Sequence, residues 1–181
     1  VAGIKLLFIL AIALIVSASC LALGAAQGII ASAPDVTSID VSPEGYATRI
    51  YDIDGNETQA LSTSGSNRIS ADIKDIPLNL QHAFVAIEDE RFYEHNGIDI
   101  KGIVRAASLV FTSGSMSQGA STITQQLLKN NVFKAFNETT IEKVKRKVQE
   151  QYLAVKLETI MDKQTILENY LNTINLGSGY Y

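Results

Sequence analysis

The sequence predicts a mostly α-helical domain with one small β-hairpin, standing behind a single membrane-crossing helix. Three observations carry the helical, hairpin and membrane parts of that prediction. No charged residue occurs from Leu6 to Pro34. A turn-forming pair, Asp54-Gly55, separates two short β-prone stretches. Beyond Pro77, apolar residues recur at helical spacing as far as Ile174. A chain of 181 residues is one domain, or one domain with appendages. Its net charge of -4 is too mild to argue for nucleic acid, and no run of Lys and Arg in it suggests a phosphate-backbone footprint. The single cysteine, Cys20, permits no internal disulfide, and the two histidines, His82 and His95, make no metal site by themselves.

The apolar core of the first element, Leu6 to Ala26, is long enough to cross a bilayer, which takes roughly 20 such residues. Lys5 precedes it and Asp35 is the first charge after it. A positive amino side puts Val1 to Lys5 in the cytoplasm and everything after Pro34 outside. The run is long for a cleaved signal peptide, which favours a retained anchor over residues 1–34. Residues 35–76 hold a linker and the hairpin. Ala33 to Tyr46 is polar, contains Pro34 and Pro43, and reads as linker. Thr48, Ile50 and Ile53 lead into a two-residue turn at Asp54-Gly55, and Glu57 to Leu61 returns. So small a sheet is marginal alone and is expected to pack on the helices. Ser62 to Asn67 is a Ser/Gly loop.

The helical body occupies residues 77–181. In its first helix Leu80, Phe84 and Ile87 form the expected buried stripe. Continued as a helix to Asn96-Gly97, the same stretch puts Phe84, Glu88 and Phe92 in one row. A carboxylate between two phenyl rings is desolvated, which raises its pKa and suits a general base. The plainer alternative is a helix-edge Glu88 reaching water. Ile100 to Phe111 is a second helix, whose Ile103, Val104, Ala107, Val110 and Phe111 pack on the core or, in an anchored protein, touch lipid. Thr112 to Ala120 has the Ser/Gly/Gln composition of a mobile loop beside a site. Ser121 is the expected N-cap of the next helix. That helix puts Thr122, Gln125, Gln126 and Lys129 on one face and Ile123 and Leu127 on another. Uncharged donors with one lysine suit sugar hydroxyls and phosphate, although an ordinary solvated face has the same pattern. Thr139 and Glu142 form a capping box for a helix to about Met161, with Ile141, Val144, Val148, Tyr152 and Val155 as its apolar stripe. By spacing alone, Arg146 and Glu150 are a surface ion pair worth about 0.3–0.5 kcal/mol. Asp162 caps a last helix that buries Ile166, Leu167, Tyr170, Leu171 and Ile174.

Four stretches carry a resemblance. They are Glu88-Asp89-x-x-Phe92-x-x-His95-x-Gly97, the run Gly119 to Asn130, Arg146-Lys147-x-x-Glu150-x-x-x-Ala154-x-x-Leu157-Glu158, and Lys163-x-x-Ile166-Leu167-Glu168-x-Tyr170-Leu171-Asn172. In this order they are similar to the first four motifs of glycosyltransferase family 51, the peptidoglycan glycosyltransferase (transglycosylase) domains of bifunctional penicillin-binding proteins and their monofunctional relatives. The resemblance implies a lysozyme-like large lobe, a smaller membrane-proximal lobe, and a cleft between them. It implies polymerisation of lipid II into glycan strands by inverting transfer, with undecaprenyl pyrophosphate as leaving group. Glu88 is then the base and Glu150 the second acid. Asp89, Phe92, His95, Ser121, Thr122, Gln125, Gln126, Lys129, Asn130, Arg146, Lys147 and Lys163 belong to the substrate site, with Arg146 and Lys129 on the pyrophosphate. Implied partners are lipid II, the lipid-linked glycan chain and the bacterial membrane, with a C-terminal transpeptidase domain in bifunctional members. The resemblance leaves room for a divalent cation, magnesium or manganese, at Glu150, while the residues themselves show no metal cage. The family's fifth motif and closing helices do not occur in these residues, so the chain reads as a fragment. Two other functions share the same residues: a lysozyme-like hydrolase using Glu88 and Glu150, and an anchored binding module without turnover.

Overall fold

The computed structural model describes residues 2–43, 45–46, 48–61, 69–114, 119–133 and 137–174. The expected loop at Ser62 to Asn67 lies outside these residues, as does much of the loop expected at Thr112 to Ala120. Helix α1, Ala2–Ala31, is apolar almost throughout, and its side chains are exposed along nearly the whole length. An all-round apolar, outward-facing helix is what a lipid environment accepts and water does not. The segment after α1, expected as a linker, is docked instead. Asp35 caps a short 3-10 turn, Val36–Ser38, by accepting from Thr37 N at 3.0 Å. Ala33, Val36 and Ile39 pack against the core, and Val41 is inside it.

Strands β1 (Thr48–Tyr51) and β2 (Glu57–Leu61) form the antiparallel hairpin, with Thr48 opposite Leu61 and a register shift at Ile50/Tyr51. The connection is longer than the two-residue turn expected. The Asp52 carboxylate accepts from Asp54 N at 3.0 Å and Asn56 N at 2.8 Å, and Gly55 takes φ +82°. An acceptor at Asp52 thus organises a wider loop, with Gly55 supplying the left-handed step. Ile50, Tyr51 and Leu61 remain exposed, so among the described residues the expected packing of the hairpin on the helices is not found.

The body consists of α2 (Leu78–Glu88), α3 (Ile100–Ser113), α4 (Ile123–Leu128), α5 (Thr140–Leu157) and α6 (Lys163–Thr173). The short α4 is its centre, and it packs on both α5 and α6. Ile123, Leu127 and Leu128 meet Leu153, Ala154 and Leu157 of α5 and Ile166, Leu167 and Tyr170 of α6 in one buried cluster. A six-residue helix is marginal alone, so caps and burial sustain it. Its N-cap is Thr122 rather than Ser121, with Thr122 Oγ1 accepting from Gln125 N at 3.2 Å. The Asp89 carboxylate accepts from Ile123 N at 3.0 Å. The capping box of α5 and the Asp162 cap of α6 form as expected.

Three expected faces are corrected. First, α2 stops at Glu88 and residues 90–97 are turns, so no helix reaches Asn96-Gly97. Within α2 only Val85 is buried and Ile87 is 81% exposed, because the helix is rotated so that Gln81 reaches the carbonyls of Ile73 and Ile76 at 2.9 and 2.8 Å. Second, α5 buries Gln149, Glu150, Leu153, Ala154 and Leu157, and leaves Ile141 and Val144 exposed. Third, α3 leaves Ile100, Val104 and Phe111 exposed, so its apolar residues are not spent on the core.

One ion pair fixes the entry to α3. Arg91 Nη2 lies 2.6 Å from Asp99 Oδ2, and a Cβ on the buried Gly102 would come within 2.4 Å of that same oxygen. The Arg91 hydrogen bond holds the Asp99 carboxyl down at about 2. Its folded pKa lies below the unfolded value of about 3.9, so this stability is complete above about pH 4 and is lost as pH falls toward the folded pKa. Denaturant titrations at stepped pH should therefore show Asp99→Asn losing less stability than the parent between pH 4 and 2.

Candidate active site

Two polar hollows, of about 370 and 490 Å³, adjoin in front of α4 and α5. Both are lined by Ile87, Glu88, Gly119 and Ser121. The first continues along Arg91, Asp99 and Arg105, and the second along Gln126, Lys129, Arg146, Lys147 and Glu150. Glu88 therefore stands where the two meet. As the last residue of α2, it is carried there by the end of that helix. Its side chain is exposed in the cleft, and its Oε2 accepts from Gln126 Nε2 at 2.9 Å. Tyr170 OH donates to Gln126 Oε1 at 3.3 Å, so α6, α4 and α2 together aim one carboxylate. Burial, and then the Glu88 charge, push the Tyr170 phenol up to about 12. It stays a donor at neutral pH. The expected sandwich of Glu88 between Phe84 and Phe92 does not form, because the helix ends at Glu88 and Phe92 turns into the core, fully buried.

Glu150 is buried, 1% exposed, and it is no surface ion pair. It is paired with the Arg146 guanidinium, and its Oε2 lies 3.2 Å from Lys147 Nζ. Arg146 Nε also donates to both oxygens of Glu138 at 2.8 Å. Lys147 Nζ donates to Ser121 Oγ at 2.8 Å and Gln125 Oε1 at 3.1 Å. The buried carboxylate is tolerated because two cations satisfy it. Lys129 projects from the end of α4 and is exposed. It lines a further hollow of about 550 Å³ with Asn137, Glu138, Lys143 and Arg146. Among the described residues no carboxylate pairs with Lys129 or Lys143, so their charge remains available to an anion.

Other expected site residues shape the cleft from behind. Asp89, 5% exposed, receives Ile123 N and also faces His95 Nε2 at 3.0 Å. Thr122 donates to the Gly97 carbonyl at 2.8 Å, and the buried Gln125 donates to the same oxygen at 3.3 Å. Lys163 does not face the cleft. Its Nζ lies 2.7 Å from Glu158 Oε2 and 4.4 Å from the Phe92 ring centroid, while Glu158 also takes the Thr124 hydroxyl at 2.5 Å. Asn130 is exposed on the π-helical continuation Lys129–Phe133 and lines neither chamber. Sequence reasoning missed Tyr170 as a site residue, although a buried phenol needs a hydrogen-bond partner. It also missed Glu138, Arg91, Asp99 and Arg105, whose spacing signals nothing.

The donor set does not fit a divalent cation held by the protein. The carboxylate of Glu150 is taken by Arg146 and Lys147, and the described residues contain no cluster of three or more His, Cys, Asp or Glu.

Comparison with known proteins identifies the family. A family model described as transglycosylase matches residues 54–181. Penicillin-binding protein 1A of Clostridium novyi (strain NT) is 43% identical over 160 residues, covering 86% of this chain and 18% of the relative. The protein of that name from Clostridium acetobutylicum is 47% identical over 137 residues, covering 72% of this chain and 16% of the relative. That of Escherichia coli (strain K12) is 41% identical over 175 residues, 93% of this chain and 20% of the relative. The chain thus spans about a fifth of the length of these relatives. A family match over residues 54–181, most of the chain, assigns the chain to the transglycosylase family.

Proposed function

We propose that the chain is the peptidoglycan glycosyltransferase part of a cell-wall synthase, extending glycan strands from lipid II. The observation that carries this reading is the position of Glu88 at the meeting of two polar chambers. A transferase must hold two sugars with one base between them. The acceptor sugar occupies the Arg91–Arg105 chamber. The donor, a glycan chain on its polyprenyl pyrophosphate, occupies the chamber of Gln126, Lys129 and Arg146. Glu88 takes the proton from the acceptor hydroxyl as its oxygen bonds to the anomeric carbon. The bond from that carbon to the pyrophosphate oxygen breaks with its electron pair, so configuration inverts. The departing group needs positive charge more than it needs a proton. Lys129 supplies it without competition, while Arg146, oriented by Glu138 and Glu150, offers a planar pair of donors. Glu150 acts by fixing Arg146 and Lys147. A carboxylate whose oxygens are both taken up by Arg146 and Lys147 is not free to reach a glycosidic oxygen, which disfavours the hydrolase reading.

Helix α1 is then the anchor that keeps the cleft on the outer membrane surface with its lipid substrates. A transpeptidase domain is the further partner that the resemblance to bifunctional penicillin-binding proteins implies. The test is polymerisation of labelled lipid II in detergent, with products resolved by length. Long glycan is the expected product. Release of short sugars from finished cell wall, with no polymer from lipid II, would move the assignment to a hydrolase.

A further inference from the structure

Helices α1 and α5 pack on each other, and a buried side chain hydrogen-bonds across their contact. Gln149 is 5% exposed and precedes Glu150 directly. Its Nε2 donates to Ile29 O and to Ser32 Oγ, each at 3.1 Å. Ser32 Oγ donates to the same Ile29 carbonyl at 2.8 Å, which closes a triangle at the end of α1. Carbonyls in the last turn of a helix lack their full intrahelical partners, so this is where an outside donor is best received. The length of α1 says where that end lies. Its 30 residues extend about 45 Å, against a hydrocarbon core of about 30 Å. With Leu6 to Ala26 in the bilayer, Gln27 to Ala31 emerge, and the emerging turn is the one that Gln149 grips. The chain beyond it has no slack, since Ala33, Val36, Ile39 and Val41 are all packed in the core. Asn131 Nδ2 reaches the Val41 carbonyl as well.

We propose that Gln149 is a positioning residue that locks the emerging end of α1 to α5, and so holds the cleft at one height and tilt over the lipid surface. The inference rests on the reading of the cleft as one that works on lipid-borne substrates. Gln149 touches neither chamber. It acts through α5, whose next residue is Glu150 and whose preceding turn carries Arg146.

The test uses the whole chain in vesicles, in a Cys20→Ala background with a dye on Thr159→Cys and an energy-transfer acceptor in the lipid headgroups. Gln149→Leu should broaden the distribution of dye heights, and Ser32→Ala should add little on top, because both remove the same lock. Turnover of a full-length lipid-linked substrate in vesicles should fall on the order of tenfold, the effect of losing a pair of hydrogen bonds. Turnover of a short-chain soluble substrate in detergent should not change. An unchanged height distribution overturns the proposal. So does an equal loss in both assays, which would mean plain damage to α5. If parent and variants are all inactive while the heights still broaden, the transferase reading falls and the lock stands.

Discussion

Glu88→Gln should abolish glycan polymerisation and leave the fold intact. The side chain is exposed, ends α2, and makes one described contact, with Gln126. Gln is the same size, and the Gln126 amide can rotate to meet it, so little stability is at stake. The chemistry is another matter. Without the Glu88 carboxylate at the junction of the chambers the acceptor proton loses its base, because the other carboxylates of the described cleft are engaged: Glu150 by Arg146 and Lys147, Asp99 by Arg91, Glu90 by Arg91 and Arg105, and Asp89 by His95 and Ile123 N. Loss of a positioned general base costs about 10²–10⁴ in rate. Lipid II turnover measured beside thermal melting decides the matter. A variant that melts like the parent and keeps more than about a tenth of its rate removes Glu88 as the base.

Gly97→Ala should cost the fold rather than the chemistry. Gly97 takes φ +84°, and a Cβ there would lie 2.5 Å from the carbonyl carbon and oxygen of Ala154 and 2.6 Å from Val155 N. The obstacle is the backbone of α5, which cannot step aside as a side chain would. Backbone strain of about 1–3 kcal/mol adds to overpacking of similar size. The loss falls at a sensitive place, since the Gly97 carbonyl receives both Thr122 and Gln125 and so sets the start of α4. Denaturant unfolding should show roughly 2–5 kcal/mol of destabilisation, with activity falling as the folded fraction falls. A variant as stable as the parent would mean that the turn and α5 can separate without harm.

Much of this protein can be read from local chemistry. The uncharged run of α1, the capping box at Thr139 and Glu142, the Asp162 cap and the stripe of Ile166, Leu167 and Tyr170 depend on residues close in sequence, so spacing suffices to find them. The motifs likewise brought Glu88, Gln126, Lys129, Arg146 and Glu150 forward as one site. Spacing was misleading where burial runs against polarity. On α5 the periodic apolar residues Ile141 and Val144 are exposed, while Gln149 and Glu150 are inside. A polar atom can be buried when its partners come from elsewhere, here Ile29 and Ser32 for Gln149, and Arg146 and Lys147 for Glu150.

The sequence by itself determined the family, the helical class, the apolar first helix and the types of groups that line the cleft. Tertiary structure alone decided that α2 stops at Glu88, that Phe92 and Lys163 turn inward, and that Tyr170 and Gln126 aim the Glu88 carboxylate. It also decided that the end of α1 is bonded to Gln149 of α5. The physical reason is the range of the forces concerned. Caps and periodicity act within a turn or two of helix, whereas each of these outcomes is a contact between residues distant in the chain, settled only when the core closes and every buried polar atom has found a partner.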